Sequence, residues 1–299
     1  MREQNRLSKA QIWILAARPK TLPAAAASVI LGISLAIKDG NFMFFPALAA
    51  LFISLLIQIG ANFANDMFDY QRGADTNQRM GPTRVTQAGL LTPAQVRVGM
   101  IVVFGLSILL GTYLAWVAGW VVVVIGVSSI VAALAYTGGP FPFGYHSLGD
   151  LFVLIFFGFA AVCGTYFVQT HTMIMPVIWA GFAMGLMITN ILVVNNLRDI
   201  ETDREAGKFT LAIRLGVNGS RLEYLACLTS AYVIPIILIL TDKSYSGSIL
   251  SWLSIPLAVK SFQELSKLAG SSLNQTLAGT ARLVLIYALL FSFGTIFVQ

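Results

Sequence analysis

Residues 195–208 read NNLRDIETDREAGK and follow directly on an apolar run at residues 174–194. Within this stretch Asp199 and Asp203 are four residues apart, so a continuing helix stacks their carboxylates on one face, one turn apart. Two carboxylates at that spacing repel each other unless a cation lies between them. Mg²⁺ is the natural candidate, because this hard cation prefers one or two carboxylates together with substrate phosphates. The stretch therefore predicts a cation-binding helix end at the rim of a membrane.

An earlier stretch repeats the theme, since residues 61–75 read ANFANDMFDYQRGAD. Helical spacing puts four of its polar side chains on one side: Asn62, Asn65, Asp66 and Asp69. The spacing Asn-x-x-x-Asp occurs in both stretches, as Asn65 with Asp69 and as Asn195 with Asp199. A solvated helix end is also rich in Asp and Asn, and this is the alternative for each carboxylate alone. Two such clusters at one membrane rim favour a functional site, because carboxylates are costly to keep there.

The composition is that of a membrane protein. The chain has 299 residues, of which 57% are hydrophobic and only 11% charged, and its mean hydropathy is +0.79. A soluble protein of this length needs far more polar surface. The apolar runs are long enough for membrane-spanning helices and lack the alternation of barrel strands. The sequence therefore predicts an all-α integral membrane protein.

We predict about nine spans in a single domain that comprises residues 1–299. The spans cover residues 20–37, 42–62, 97–118, 120–137, 148–168, 174–194, 222–241, 248–262 and 280–298. Two long connections, at about 63–96 and 195–221, contain the acidic stretches. Both connections are predicted to lie on the same side of the membrane.

The basic residues predict the orientation of the chain. In the nine-span arrangement 17 of the 19 Lys and Arg residues lie on the side of the acidic stretches, and only Lys38 and Lys243 lie opposite. The positive-inside rule makes the richer side cytoplasmic, with the N-terminus inside and the C-terminus outside. Orientation then accounts for the net charge of +6, so we expect no nucleic-acid partner.

Basic side chains near the acidic stretches are candidates for binding an anion that the metal bridges. Arg84 and Lys208 stand out because each belongs to a glycine-marked stretch, GPTR and GKFT respectively. Arg72 and Arg198 are further candidates. Contact with lipid headgroups is the alternative for each of these side chains.

An uncharged aromatic loop follows the fourth span on the same side, where residues 136–145 read YTGGPFPFGY. Aromatic faces attract cations, so Tyr136 and Tyr145 are candidates for stabilising a carbocation. An interfacial aromatic belt is the alternative for each ring. The two histidines, His146 and His171, are predicted to lie on opposite sides of the membrane, which argues against a shared metal site.

The two acidic motifs and the stretches between them resemble those of the UbiA-superfamily membrane prenyltransferases. Members of this family carry an Asn-x-x-x-Asp first motif and an Asp-x-x-x-Asp second motif on cytoplasmic helix ends. The similarity is greatest to the 1,4-dihydroxy-2-naphthoate prenyltransferases of menaquinone biosynthesis (the MenA type) and covers nearly the whole chain. The stretches that carry it are RPKTLP at 18–23, ND at 65–66 with Asp69, GAD at 73–75, GPTRVTQAG at 81–89, GY at 144–145, LGD at 148–150 and residues 195–216.

The resemblance implies a bundle of nine helices around a central cavity that opens sideways to the lipid bilayer. It also implies Mg²⁺-dependent transfer of a polyprenyl group from prenyl diphosphate to 1,4-dihydroxy-2-naphthoate, with decarboxylation, in the inner (plasma) membrane. Many members have a third acid in the first motif, at a position that is Gly73 here. In this chain an acid, Asp75, follows two residues later.

The site residues follow from the motifs and the resemblance together. The catalytic carboxylates would be Asp69, Asp199 and Asp203. The metal ligands would be Asp66, Asp69, Asp75, Asp199 and Asp203. The residues that bind the substrates would be Asn65, Arg72, Arg84, Tyr136, Tyr145, Asn195, Asn196, Arg198 and Lys208.

Two alternatives stay open on the sequence. One is another aromatic prenyltransferase, for example one with 4-hydroxybenzoate as the acceptor. The other is an ion-coupled transporter, which would belong to a different class of protein. Transporters usually place their acidic sites near the middle of the membrane, at broken helices. Here the acids gather at one rim, so the sequence favours the enzyme.

Overall fold

A computed structural model describes residues 7–74, 80–81 and 83–298 of the chain. Within these ranges the regular elements are helices, and no strand occurs. The prediction of an all-helical membrane protein is confirmed. We number the helices along the described chain as α1 (Lys9–Ala17), α2 (Leu22–Lys38), α3 (Phe44–Gln71), α4 (Pro93–Ala118), α5 (Trp120–Ala135), α6 (Gly149–Thr170), α7 (Met175–Arg198), α8 (Ile200–Glu205), α9 (Leu211–Thr241), α10 (Ile255–Lys267) and α11 (Leu273–Phe297).

Seven helical segments are long and apolar enough to cross a membrane, with α1 and α2 together counting as one. Helix α5 is also apolar but has only 16 residues. A 3₁₀ stretch, Lys243–Ser254, leads directly into α10. In the described ranges seven segments therefore have the length and composition of a span and α5 is a shorter apolar helix, so the predicted number of about nine is approximate.

Several boundaries differ from the prediction. Helix α3 continues to Gln71, about two and a half turns past the predicted end of its span at residue 62, and α4 and α11 begin before theirs. Helix α9 begins at Leu211, with a break at Gly216, where φ is 68°. The connections predicted at 63–96 and 195–221 are therefore partly helical. Hydropathy marks only the part of a helix inside the hydrocarbon core, whereas the backbone hydrogen bonds continue into the polar rim.

The N-terminal part of the fold is fixed against α3 by a break between α1 and α2. Arg18 has a φ of 51°, and Pro19 begins the next turn, so one helix cannot run through this point. The side-chain amide of Asn62 donates hydrogen bonds to the carbonyl oxygen of Ala17 and to Oγ1 of Thr21, both at 2.9 Å. The break is thereby held beside the first acidic motif.

Two of the three hydrophobic cores in the described structure flank a central space. The larger one joins α2, α6, α7, α9 and α11, and includes Leu31, Met184 and Tyr287. The smaller one joins α1, α3 and α4. Helices α6 and α7 approach closely, because a Cβ atom on Gly158 would lie only 2.5 Å from the carbonyl oxygen of Gly181. Between the two cores, α2 to α7 and α11 line a cavity.

The bundle has two chemically different ends. Helices α3 and α7 both end at the acidic motifs, as the sequence predicts. At the opposite end, Nζ of Lys38 donates a hydrogen bond of 2.8 Å to Oγ of Ser244, beside Lys243. The two basic residues that depart from the charge asymmetry therefore lie together, away from the motifs.

Candidate active site

Asp69 is the meeting point of four segments of the chain. Its side chain is almost fully buried near the end of α3, and its Oδ2 accepts hydrogen bonds from Nη2 of Arg84 at 3.0 Å and from Nζ of Lys208 at 3.3 Å. Its Oδ1 accepts a hydrogen bond of 2.8 Å from the phenol of Tyr145. Four residues that the sequence places far apart are therefore joined at one carboxylate.

Asp66 has a different surrounding, although it is only three residues earlier on α3. Its two carboxylate oxygens accept hydrogen bonds from the backbone amides of Val85 and Thr86, at 3.0 and 3.1 Å. These bonds anchor the turn that carries Arg84. Both oxygens face this loop rather than the cavity, so the contacts do not support the predicted role of Asp66 as a metal ligand.

The second motif begins where α7 ends. Asp199 receives two hydrogen bonds from the guanidinium of Arg198, from Nε at 2.8 Å and from Nη2 at 2.5 Å. The same guanidinium donates to the side-chain oxygens of Asn195 and Asn274, both at 2.9 Å. Arg198 is fully buried and does not line the cavity. The sequence predicted a direct anion contact for Arg198, whereas here every nitrogen of its guanidinium donates to a protein oxygen.

Asp203 follows one helical turn after Asp199. A helix boundary lies between α7 and α8, yet the amide of Asp203 still bonds to the carbonyl oxygen of Asp199 at 2.8 Å. The predicted spacing of the two carboxylates is thus kept. Nζ of Lys208 lies 3.9 Å from Oδ1 of Asp203 and 3.3 Å from Oδ2 of Asp69. One ammonium group therefore links the first acidic motif to the second.

Tyr145 connects the aromatic loop to this charge cluster. The Nζ of Lys208 lies 5.0 Å from the centre of its ring, and the guanidinium carbon of Arg72 lies 5.3 Å from it. Arg72 also donates to the carbonyl oxygen of Gly139, and it remains exposed outside the cavity. These contacts indicate that Arg72 braces the aromatic loop, which differs from the predicted contact with the substrate.

The remaining predicted site residues lie on the cavity wall. Oδ1 of Asn65 accepts a hydrogen bond of 2.9 Å from Oγ1 of Thr137. The ring of Tyr136 also lines the cavity. The predicted residues that line the cavity are Asn65, Asp69, Arg84, Tyr136, Tyr145, Asn195, Asn196, Asp199, Asp203 and Lys208.

The cavity has a volume of about 1220 Å³ and a pronounced polarity gradient. The charged groups gather at one end. The rest of the wall is mainly apolar and extends along α3 from Asp69 to Ala50. Nineteen residues separate these two positions, so helix rise makes the cavity about 28 Å deep. This depth is close to the thickness of the hydrocarbon core of a bilayer.

The donor chemistry of the polar end fits Mg²⁺. The carboxylates of Asp69, Asp199 and Asp203 and the amides of Asn65 and Asn195 provide the hard oxygen ligands that this ion prefers. In the described part of the chain no three acidic, His or Cys groups already form a metal cluster. The acids instead contact Arg84, Arg198 and Lys208. Asp75, the remaining predicted ligand, lies outside the described residues.

Asn274 is a site residue that the sequence analysis missed. It lies at the start of α11, where it accepts from Arg198 and donates to the carbonyl oxygen of Met80 at 3.0 Å. It also lines the cavity. No motif surrounds it, so its link between the two acidic regions becomes visible only in the fold. Thr137 was within the aromatic loop but was not singled out as a partner of Asn65.

Comparison with known proteins agrees with this geometry. The model of the UbiA prenyltransferase family matches residues 25–277, which is most of the chain. The chain belongs to the UbiA prenyltransferase family. It is 42% identical to 1,4-dihydroxy-2-naphthoate octaprenyltransferase of Escherichia coli over 231 residues, which cover 75% of each chain. It is 36% identical to the Haemophilus influenzae protein of the same name over 296 residues, which cover 96% of each.

A solved UbiA structure supports the fold directly. The structure of a UbiA homologue from Archaeoglobus fulgidus bound to GPP and Mg²⁺ superposes with a TM-score of 0.71. The match covers 95% of this chain and 99% of the other, at 13% sequence identity. The two proteins therefore have the same fold although few of their residues are identical. The resemblance found in the two acidic motifs is confirmed at the level of the family.

Proposed function

We propose that this protein transfers a polyprenyl group from prenyl diphosphate to 1,4-dihydroxy-2-naphthoate, with loss of CO₂, in an Mg²⁺-dependent reaction of menaquinone biosynthesis. The observation that carries the proposal is the cavity, which combines a charged end with an apolar wall as deep as a membrane. A diphosphate fits the first part and an isoprenoid tail the second. Two relatives that match most of the chain are named 1,4-dihydroxy-2-naphthoate octaprenyltransferase, and these names support the choice of acceptor.

The charged end would bind the diphosphate and its metal. Asp69, Asp199 and Asp203 would hold Mg²⁺, with Asn65 and Asn195 as further oxygen donors. When bound, the ion supplies positive charge that stabilises the departing diphosphate as the allylic C–O bond breaks. Arg84 and Lys208 line the same end and would contact the phosphate oxygens directly. The role of Asp75 as a fourth acid stays a prediction.

Some of the predicted site residues do not line the cavity and would instead hold the substrate-binding side chains in position. Arg198 holds Asp199 by two hydrogen bonds and ties it to Asn195. Asp66 fixes the turn before α4, and with it the guanidinium of Arg84. We therefore assign Asp66 and Arg198 to positioning, and Arg72 to the support of Tyr145.

The aromatic and apolar walls would protect the allylic cation. Tyr136 and Tyr145 line the cavity, and Tyr145 contacts Asp69 at its charged end, so their rings would face developing positive charge. The apolar wall excludes water, which would otherwise capture the cation.

The acceptor chemistry needs no strong base. The electron-rich hydroquinone ring forms a C–C bond to the allylic carbon at the ring carbon that bears the carboxylate. The bond between the ring carbon and the carboxylate then breaks and CO₂ leaves. The electron pair of that bond stays on the ring and restores its aromaticity. The only histidine on this side, His146, stacks on Phe141, and its Nδ1 faces the carbonyl oxygen of Pro142 at 2.8 Å. We assign it no role in the reaction.

We further propose that the protein is a single domain of the inner (plasma) membrane, with the N-terminus and the acidic end in the cytoplasm. The support is the unequal distribution of Lys and Arg, of which only Lys38 and Lys243 are predicted to lie opposite the acidic motifs. In the structure Lys38 contacts Ser244, the neighbour of Lys243, at that opposite end. Both substrates would then enter from the cytoplasm or the adjacent leaflet.

The decisive experiment supplies purified protein with Mg²⁺, prenyl diphosphate and acceptor labelled in its carboxyl carbon. We expect prenylated product without label and labelled CO₂. Product that retains the label would contradict the decarboxylative route. A clear preference for 4-hydroxybenzoate in parallel reactions would move the assignment to that class of acceptor.

A further inference from the structure

Two glycines line the deep part of the cavity on neighbouring helices. Gly111 is on α4 and Gly126 is on α5, and both are half-buried in the cavity wall. The turn between these helices is at Gly119, eight residues after the first and seven before the second. Helix rise therefore puts both at about the same depth, roughly 11 Å from the turn.

Packing does not explain these two glycines. A Cβ atom added to Gly111 or to Gly126 meets no described heavy atom within 4 Å apart from its own helix neighbourhood. Gly158 is the opposite case, because α7 lies against it. Glycine is also, after proline, the least favourable residue inside a helix. What the two positions provide is open space in the cavity.

The distance of the two glycines from the charged end can be compared with the length of a prenyl chain. Gly126 is ten residues before Tyr136 on α5, so it lies about 15 Å from the charged end, which is the reach of about three extended isoprene units. The cavity also opens sideways near this level, where Ile108 and Val127 line it while being 55% and 56% exposed. A longer tail must pass the two glycines to reach the remaining cavity or the lipid.

We infer that Gly111 and Gly126 keep the passage open for long prenyl chains and so determine the longest donor that the enzyme accepts. This inference rests on the proposed function. Side chains at these positions would narrow the passage beyond the first few isoprene units. The proposed metal ligands lie at the other end of the cavity, where the diphosphate and the acceptor would bind, so the reacting atoms would keep their surroundings.

The test compares a short donor, geranyl diphosphate, with a long one, octaprenyl diphosphate. We expect Gly111→Leu and Gly126→Leu each to lower the ratio of kcat/KM for the long donor to that for the short donor by about ten-fold or more, because overpacking now opposes only the long tail. The matched control is Gly105→Leu, on the same helix α4. Its Cβ would also have open space in the described structure, but Gly105 is exposed outside the cavity.

Each possible result of this comparison either supports or overturns the inference about Gly111 and Gly126. An unchanged ratio in both cavity variants would overturn the inference and leave the proposed function intact. An equal fall with both donors, or an equal fall of the ratio in Gly105→Leu, would also overturn it, since the effect would then not concern the tail. Melting curves in detergent check that the variants are folded. If the unmodified protein transfers neither chain, the proposed function fails, and the inference with it.

Discussion

Asp69 offers the sharpest test of the site, because it is both a proposed metal ligand and the counter-charge of two buried cations. In Asp69→Asn the shape of the side chain is kept while the charge is removed. Arg84 and Lys208 then lose the carboxylate that they share at 3.0 and 3.3 Å. Removing one partner of a buried ion pair costs about 3–5 kcal/mol. An asparagine can still accept hydrogen bonds, so we expect a loss of about 3 kcal/mol, at the low end of that range.

The expected effects on stability and on catalysis can be separated. A loss of about 3 kcal/mol corresponds to a Tm that is lower by roughly 6–12 °C, as measured by thermal unfolding in detergent. The rate of prenyl transfer should fall by about 100-fold or more, because a ligand for the metal and its stabilising charge are gone. In the double variant Asp69→Asn with Arg84→Met, the uncompensated guanidinium is removed. We expect about half of the lost Tm to return, but none of the activity.

The control is Glu201→Gln, which removes an acid from the same rim. The Glu201 side chain is 67% exposed and pairs only with the exposed Arg204 among the contacts described, so its loss should change stability by less than about 0.5 kcal/mol. Wild-type turnover by Asp69→Asn would refute the assignment of the site. A double variant no more stable than the single one would refute the electrostatic explanation of the stability loss.

Three further outcomes follow from the same geometry. Excess chelator should abolish turnover and added Mg²⁺ should restore it, because paired acids and a diphosphate are poor partners without a cation; full activity in chelator would exclude the metal site. Asp203→Asn and Asp199→Asn should each lower the rate by about 100-fold, and Asp199→Asn should also lower the Tm because Asp199 pairs with the buried Arg198; near-normal rates in the two variants would show that other carboxylates act. In a background without Cys163 and Cys227, a cysteine at Lys243 should react with an impermeant thiol reagent added outside intact cells, and one at Glu201 should not; the reverse pattern would invert the topology.

Some predictions from the sequence were accurate because they depend on local pattern. Hydropathy identified the membrane-spanning segments, and the spacing of Asp199 and Asp203 predicted a single turn between them, which the amide of Asp203 maintains. The helix ends were less accurate, as α9 shows by starting at Leu211. Hydropathy falls where a helix leaves the hydrocarbon core, so it does not show that the helix continues through the polar residues beyond.

Other predictions depended on which residues meet across the fold. Asp66 and Asp69 look equivalent in the sequence, yet one holds backbone amides and the other holds two cations. Arg84 and Arg198 also look alike as candidate anion contacts. The first lines the cavity, whereas the second is enclosed by Asp199, Asn195 and Asn274.

The sequence by itself determined that this protein is a helical membrane protein with two acidic motifs at one rim. Apolar length and helical spacing are properties of neighbouring residues, and the cost of exposing the backbone to lipid leaves few alternatives. Only the tertiary structure decided which cation meets which carboxylate. Lys208 contacts Asp69 across 139 residues of sequence, and Asn274 contacts Arg198 across 76. Such pairs, and the cavity beneath them, depend on distances that arise only when remote helices pack together.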